Sequence, residues 1–193
     1  MYMNYPNAKS AKEVTHQKSF SNRGMSLEKD INQSNTYYLD EDKAVIHKKP
    51  TPVTIVKVDY PARNKAKITE AYYAESSTTD YNGIYKGKYI DFEAKECRSL
   101  TAFPFSSIHP HQIRHLAACL RHGAIAFIIL RMVNMDETYL IRAEDFVDYY
   151  YTTDRRSLPY EWIRENGHRI DYKYLIPCDY LSTVDKVYDL EGK

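Results

Sequence analysis

At 193 residues and 22.7 kDa, with 43% apolar content, the chain is long enough for one domain with a real core and too apolar to be disordered throughout. Its longest apolar run, Ala124 to Leu130, has seven residues against the roughly 20 that a helix needs to cross a bilayer, which excludes a membrane-spanning helix. The net charge of +1 hides a split: residues 43–67 carry seven Lys/Arg against Asp59 alone, whereas residues 136–193 carry thirteen acids and eight bases, so the average does not exclude nucleic acid as a partner.

The first 24 residues mix Ser, Asn, Lys and Gly without apolar periodicity at a net charge of +3, which predicts a mobile basic arm ending at Arg23-Gly24. From Met25 the pattern changes. Leu27, Ile31 and Tyr38 fall on one helical face, Ser26 is placed to cap, and Glu28 and Asp30 suit the positive end of the helix dipole, predicting a helix to about Leu39. Ala44-Val45-Ile46 reads as a strand. The run Lys48-Lys49-Pro50-Thr51-Pro52 must then leave the sheet, because two prolines fix φ and remove donors. Val53 to Val58 and Ala66 to Tyr73 alternate as outgoing and returning strands around a turn at Pro61, and their charge predicts a basic β-excursion projecting from the body.

Asn82-Gly83 and Lys86-Gly87 are turn signals in a hairpin that runs from Ser76–Asp80 into Tyr89–Cys97. Pro110 suits a first helical turn, Ile113, Leu116, Ala117 and Leu120 repeat at i, i+3, i+4 and i+7, and Gly123 stands where a left-handed residue ends a helix. Ala124 to Leu130 has the continuous apolarity of a strand buried on both faces, Thr138 to Ile141 can pair beside it, and a shorter helix is expected over 143–151. The order α-β-β-β-α-β predicts an α/β fold with a central mixed sheet flanked by helices. The expected divisions are an arm at 1–24, a single domain at 25–178 with the excursion at about 48–74, and a C-terminal tail at 179–193.

Alternation along the second hairpin strand puts Asp91, Glu93 and Lys95 on one face and Ile90, Phe92 and Ala94 on the other. Two carboxylates hold a hard divalent cation through oxygen, and a nearby ammonium neutralises charge growing on a phosphate, which together equip metal-dependent phosphodiester hydrolysis. Asp80, on the preceding strand, can approach Glu93 across the turn, and Thr78 shares the face of Asp80. The acid-x-Lys pattern recurs at Glu41-Asp42-Lys43 and Asp171-Tyr172-Lys173, but neither copy has a hairpin that aligns an upstream acid. His109 and His111 have a spacing that could suit a metal but are expected at a helix entry. Cys97, Cys119 and Cys178 show no disulfide or zinc pattern and no evident base partner, so no catalytic role is assigned to them; with no apolar leader, a reducing cytoplasm is expected. Nineteen tyrosines, several beside the basic stretch, offer rings that stack on exposed bases.

The run Ser76-Ser77-Thr78-Thr79-Asp80-Tyr81-Asn82-Gly83, followed by Tyr89-Ile90-Asp91-Phe92-Glu93-Ala94-Lys95-Glu96 and His111-Gln112, closely resembles the RecU family of Holliday junction resolvases of Gram-positive bacteria. Tyr5-Pro6-Asn7, Ser21-Asn22-Arg23-Gly24-Met25 and Val45-Ile46-His47-Lys48-Lys49-Pro50-Thr51-Pro52 extend the resemblance over about residues 4–150. It implies a restriction-endonuclease-like (PD-(D/E)xK nuclease) fold, a homodimer, dependence on Mg2+ with Mn2+ substituting, and symmetric nicking of four-way junction DNA in recombination and repair, in a cytoplasmic, nucleoid-associated protein.

Carried over by position, Thr78, Asp80, Glu93 and Gln112 would surround the magnesium and Lys95 would stabilise the transition state. Asp91, nearer the turn, is expected to support Glu93, and Glu28 on the first helix is a further acid within reach. The basic excursion matches the family's stalk, which enters the open centre of the junction; Lys48, Arg63 and Tyr72 are the DNA-contacting candidates there, with Arg23 on phosphate at the end of the arm. A recombinase of the RecA class is an expected partner, and the alternative activity is that of a junction-binding accessory protein that regulates such a recombinase with its nuclease site dispensable. Tyr37, Tyr38 and Leu39 are the expected dimer surface.

Overall fold

Helix α1 (Leu27–Asp40) opens the computed structural model, which describes residues 26–62, 65–74 and 78–190. Ser26 is extended and its Oγ accepts the Lys29 N–H, the cap that the sequence calls for. Next come β1 (Ala44–Lys48), β2 (Val53–Asp59), β3 (Lys67–Tyr73), β4 (Tyr81–Tyr85), β5 (Lys88–Cys97) and β6 (Ala102–Pro104). The rest of the chain forms α2 (Pro110–Arg121), β7 (Ile125–Met132), β8 (Glu137–Arg142), α3 (Ala143–Thr152), β9 (Ser157–Pro159), α4 (Tyr160–Asn166), β10 (His168–Arg169) and α5 (Tyr180–Val187).

The main sheet runs β1-β4-β5-β7-β8-β10. All its neighbours are antiparallel except β5 and β7, which α2 joins as a parallel pair. One helix precedes three antiparallel strands and a second precedes the parallel fourth, the mixed sheet flanked by helices that the element order predicts. β7 is buried over Ile125–Leu130, as a central strand covered on both faces must be. One core layer packs Leu27, Ile31 and Tyr38 of α1 and Tyr180, Leu181 and Val184 of α5 on Ile90, Phe92 and Phe127. The other packs Ile113 and Leu116 of α2 and Phe146 of α3 on Ile128 and Leu130. Among the described residues β2 and β3 pair only with each other, and they are exposed along their whole length save Val58, so the excursion stands off the body. No helix among the described residues is long and apolar enough to cross a membrane.

Three local expectations need correction. Asn82-Gly83 is not a turn but the middle of β4; a Cβ on Gly83 would lie 2.1 Å from the Val45 carbonyl oxygen, so the glycine there admits β1. Lys86-Gly87 alone makes the turn, with φ of 46° and 72°. Residues 179–190 are not a detached tail, because α5 and Leu190 complete the first core layer. Tyr38 is 2% exposed and its hydroxyl donates to Asp179 Oδ1 at 2.9 Å, so it belongs to the core and not to a free dimer surface, whereas Leu39 beside it is exposed.

Candidate active site

The pleat of β5 turns Ile90 and Phe92 into the α1/α5 layer and aims Asp91, Glu93 and Lys95 at α2. Glu93 is fully buried. Its Oε1 accepts the Lys95 ammonium at 2.7 Å and the Gln112 amide at 2.8 Å, and its Oε2 accepts the Asp80 backbone N–H at 3.1 Å. Asp80, just before β4, takes the Ala94 N–H on Oδ2 at 3.3 Å, so the upstream acid is tied to β5 from both directions. Thr78 and Asp80 are half-buried beside it. Gln112 sits in the first turn of α2, where its Oε1 accepts the His109 N–H at 3.0 Å and fixes its amide edge toward Glu93.

Burial, and then the neighbouring Asp80 carboxylate, push the Glu93 carboxyl up to about 7, although Lys95 pulls the other way. That is the condition of a carboxylate pair lacking enough positive charge. The oxygen chemistry of Asp80, Glu93 and Thr78 fits a hard divalent cation, which would relieve this repulsion. Gln112 fits as a ligand if its oxygen turns from the His109 N–H.

The structure places Asp91 elsewhere than beside Glu93's ligands. It is fully buried one pleat nearer the turn, in an ion pair with Lys49 at 2.8 Å, and the Tyr89 hydroxyl donates to it at 2.9 Å. Opposing Lys49, Thr79 and His115 hold this carboxyl below its usual range, against the burial that raises it. Sequence reasoning missed Lys49, Thr79 and His115. The partners lie 42, 12 and 24 positions from Asp91, and only the stalk's return and α2's packing bring them together. His115 Nε2 also lies 3.5 Å from the Cys119 sulfur, so that cysteine does have a histidine neighbour, one helical turn away. Burial raises its thiol and Asp91 raises it further, which leaves it a poor nucleophile.

Of the expected DNA contacts, Lys48 ends β1 at the foot of the excursion and pairs at 2.7 Å with Glu28, which therefore faces Lys48. Tyr72 is exposed on β3, where its hydroxyl donates to Glu70 at 2.9 Å. Arg23 and Arg63 lie outside the described residues, as does the whole expected arm. His109 and His111 stack at the entry to α2.

A model of the family described as Recombination protein U matches residues 22–186. The Holliday junction resolvase RecU of Oceanobacillus iheyensis is 49% identical over 96% of this chain and 100% of its own length. That of Geobacillus kaustophilus is 52% identical over 88% of this chain and 86% of its own. Among solved structures, the Holliday junction resolvase Hjc of Archaeoglobus fulgidus overlaps 72% of this chain and 93% of its own at 10% identity and a TM-score of 0.41.

Proposed function

The chain belongs to the RecU family, and from that premise we propose that it is an endonuclease that resolves Holliday junctions, with Mg2+ held by Asp80, Glu93, Thr78 and Gln112. The observation that carries the metal site is the fully buried Glu93 beside Asp80, two neighbouring carboxylates with the Lys95 ammonium on Glu93. Magnesium bound there supplies Lewis-acid stabilisation to the charge that grows on a phosphodiester. Lys95 adds its ammonium to the same charge, and Gln112 keeps the Glu93 carboxylate turned toward Asp80. A family of junction resolvases has a substrate with two equivalent strands, so one active site per chain implies a two-fold dimer.

A labelled four-way junction tests this reading. With Mg2+ the protein is expected to nick two strands of like polarity at symmetric positions within one binding event; with Ca2+ it is expected to bind without cutting. Binding with no incision at any Mg2+ concentration would instead favour the accessory reading.

The excursion is the proposed stalk, contacting the junction through Lys48, Arg63 and Tyr72, with Arg23 on phosphate. Lys48→Ala with Arg63→Ala is expected to weaken junction binding and to flatten the slope of log affinity against log salt by about 1.8, at about 0.9 per duplex phosphate contact. Anisotropy titrations across a salt series measure it. An unchanged slope in a normally folded variant would show that these bases point away from DNA.

A further inference from the structure

Asp91 is a fully buried charge that the proposed ligand set does not use. Its Oδ1 accepts the Thr79 hydroxyl, and its Oδ2 accepts the Lys49 ammonium at 2.8 Å and the Tyr89 hydroxyl at 2.9 Å. The same ammonium donates to Thr79 Oγ1 at 2.9 Å, which closes a triangle of Lys49, Thr79 and Asp91. Lys49 grips the neighbouring backbone as well, its N–H donating to the Asp80 carbonyl at 2.8 Å.

Asp91, His115 and Cys119 could be taken for a metal site, since their ligand atoms lie within 4.8 Å of one another. The occupancy of Asp91 argues otherwise. Lys49 already balances its charge, and Thr79, Tyr89 and His115 crowd its remaining lone pairs, so a cation there would have to displace an ammonium.

The connectivity gives the triangle a different use. Lys49 is the last residue before the prolines that launch the stalk, and Thr79-Asp80 is where the returning chain re-enters the sheet. The two ends of the stalk are therefore fastened to each other, and through Asp91 to β5, two positions from Glu93. Asp80's own bonds to Glu93 and to the Ala94 N–H reach β5 from one side, and this fastening adds a hold on its backbone from the other, through Lys49 and Thr79. We infer that Lys49, Thr79 and Asp91 form a positioning clamp that fixes Asp80 against Glu93 and so sets the affinity of the site for its divalent cation. The inference rests on the nuclease reading for its consequence in cleavage, but not for its consequence in cation binding.

Thr79→Val keeps the volume of a buried side chain and removes the hydroxyl, whereas Thr79→Ser keeps the hydroxyl. Lys49→Met combined with Asp91→Asn removes both charges of the pair together, so no buried carboxylate is left unpaired. Calorimetric titration of the full chain with Ca2+ in the absence of DNA, and the Mg2+ concentration for half-maximal junction nicking, are measured for each beside the thermal midpoint. Thr79→Val and the double variant are expected to weaken cation binding by about 10- to 100-fold, the usual effect of removing a support behind a metal ligand, with a matching rise in the Mg2+ requirement; Thr79→Ser is expected to stay near the parent. Thr79→Val with a lowered thermal midpoint but parental Ca2+ affinity would reduce the triangle to a fold contact and overturn the clamp. If the double variant fails to fold, the Val and Ser pair decides alone. If the parent binds Ca2+ but never nicks a junction, the nuclease reading fails while the calorimetric comparison still judges the clamp.

Discussion

Asp80→Asn and Glu93→Gln are each expected to abolish junction nicking while leaving junction affinity intact or tighter. Each exchange removes one charge from the cation site and one repulsion toward phosphate, yet keeps a side chain of the same shape to accept the Ala94 N–H or the Gln112 amide. A lost metal ligand forfeits several kcal/mol of transition-state stabilisation, which at about 1.4 kcal/mol per tenfold lowers the rate by about 10³-fold or more. Single-turnover nicking by variants purified free of parent protein measures it, and cleavage within tenfold of the parent rate by either variant would remove that residue from the site. Glu93→Gln carries a second readout. The Glu93 carboxyl stands at about 7 in the folded chain against its ordinary 4.5, so between those values the folded state holds a proton that the unfolded state has released. Stability of the metal-free parent therefore falls as pH rises through that window, and the Gln variant lacks this decline. Thermal midpoints taken across the window without divalent cations check the sign.

The parts of this site that were legible in the sequence are those fixed by one hairpin and one helix. Asp80 and Glu93 are thirteen positions apart but bracket a turn that Lys86-Gly87 announces, and the period of two along β5 separates Glu93 from Phe92 without further information. Gln112 is named by the resemblance to the RecU family, and the helix pattern only places it: Pro110 and Gly123 bound α2, and Ile113 and Leu116 orient its first turn toward the sheet. Asp91 is different: its spacing puts it on the right face, but its partner Lys49 is 42 positions away, across an excursion whose strands β2 and β3 do not pair with the main sheet. No local period reports such a contact. Gly83 misleads for a related reason, since Asn-Gly is the strongest short turn signal and only the arrival of β1 beside β4 makes it a strand. At the C-terminus composition obscures pattern. Tyr180, Leu181 and Val184 make an apolar stripe of barely two turns among Asp179, Asp185, Asp189 and Glu191, too short to outweigh the acids that read as a solvated tail.

That last misreading leads to a large effect: a chain shortened to end at Cys178 is expected not to fold. Tyr180, Leu181, Val184 and Leu190 are at most 5% exposed in the core layer that backs β5. At about 1.5–3 kcal/mol for each buried apolar side chain, the four contribute about 6–12 kcal/mol, comparable with the whole net stability of about 5–15 kcal/mol of a typical domain. Truncation also deprives the buried Tyr38 hydroxyl of Asp179, and Tyr85 of Asp185. Tyr180→Ala isolates the central contact. The ring packs 5.1 Å from Phe92 and 6.0 Å from Phe127 between centroids, and its hydroxyl donates to Asn35 Oδ1, so its loss is expected to cost about 3–5 kcal/mol and lower the thermal midpoint by about 6–20 °C. Because Phe92 lies between Asp91 and Glu93, the loosened strand should also raise the Mg2+ requirement for nicking. Lys173, Ser182 and Tyr38 hold the Asp179 carboxyl below its usual range despite its burial, so its contribution is complete above about pH 4 and is lost as pH falls through its folded value. Asp179→Asn is therefore expected to be less stable than the parent at neutral pH and to converge with it in acid. Urea unfolding of the truncated and substituted chains decides the matter: a cooperative transition of parental midpoint in the chain ending at Cys178 would show that α5 lies on the core without completing it.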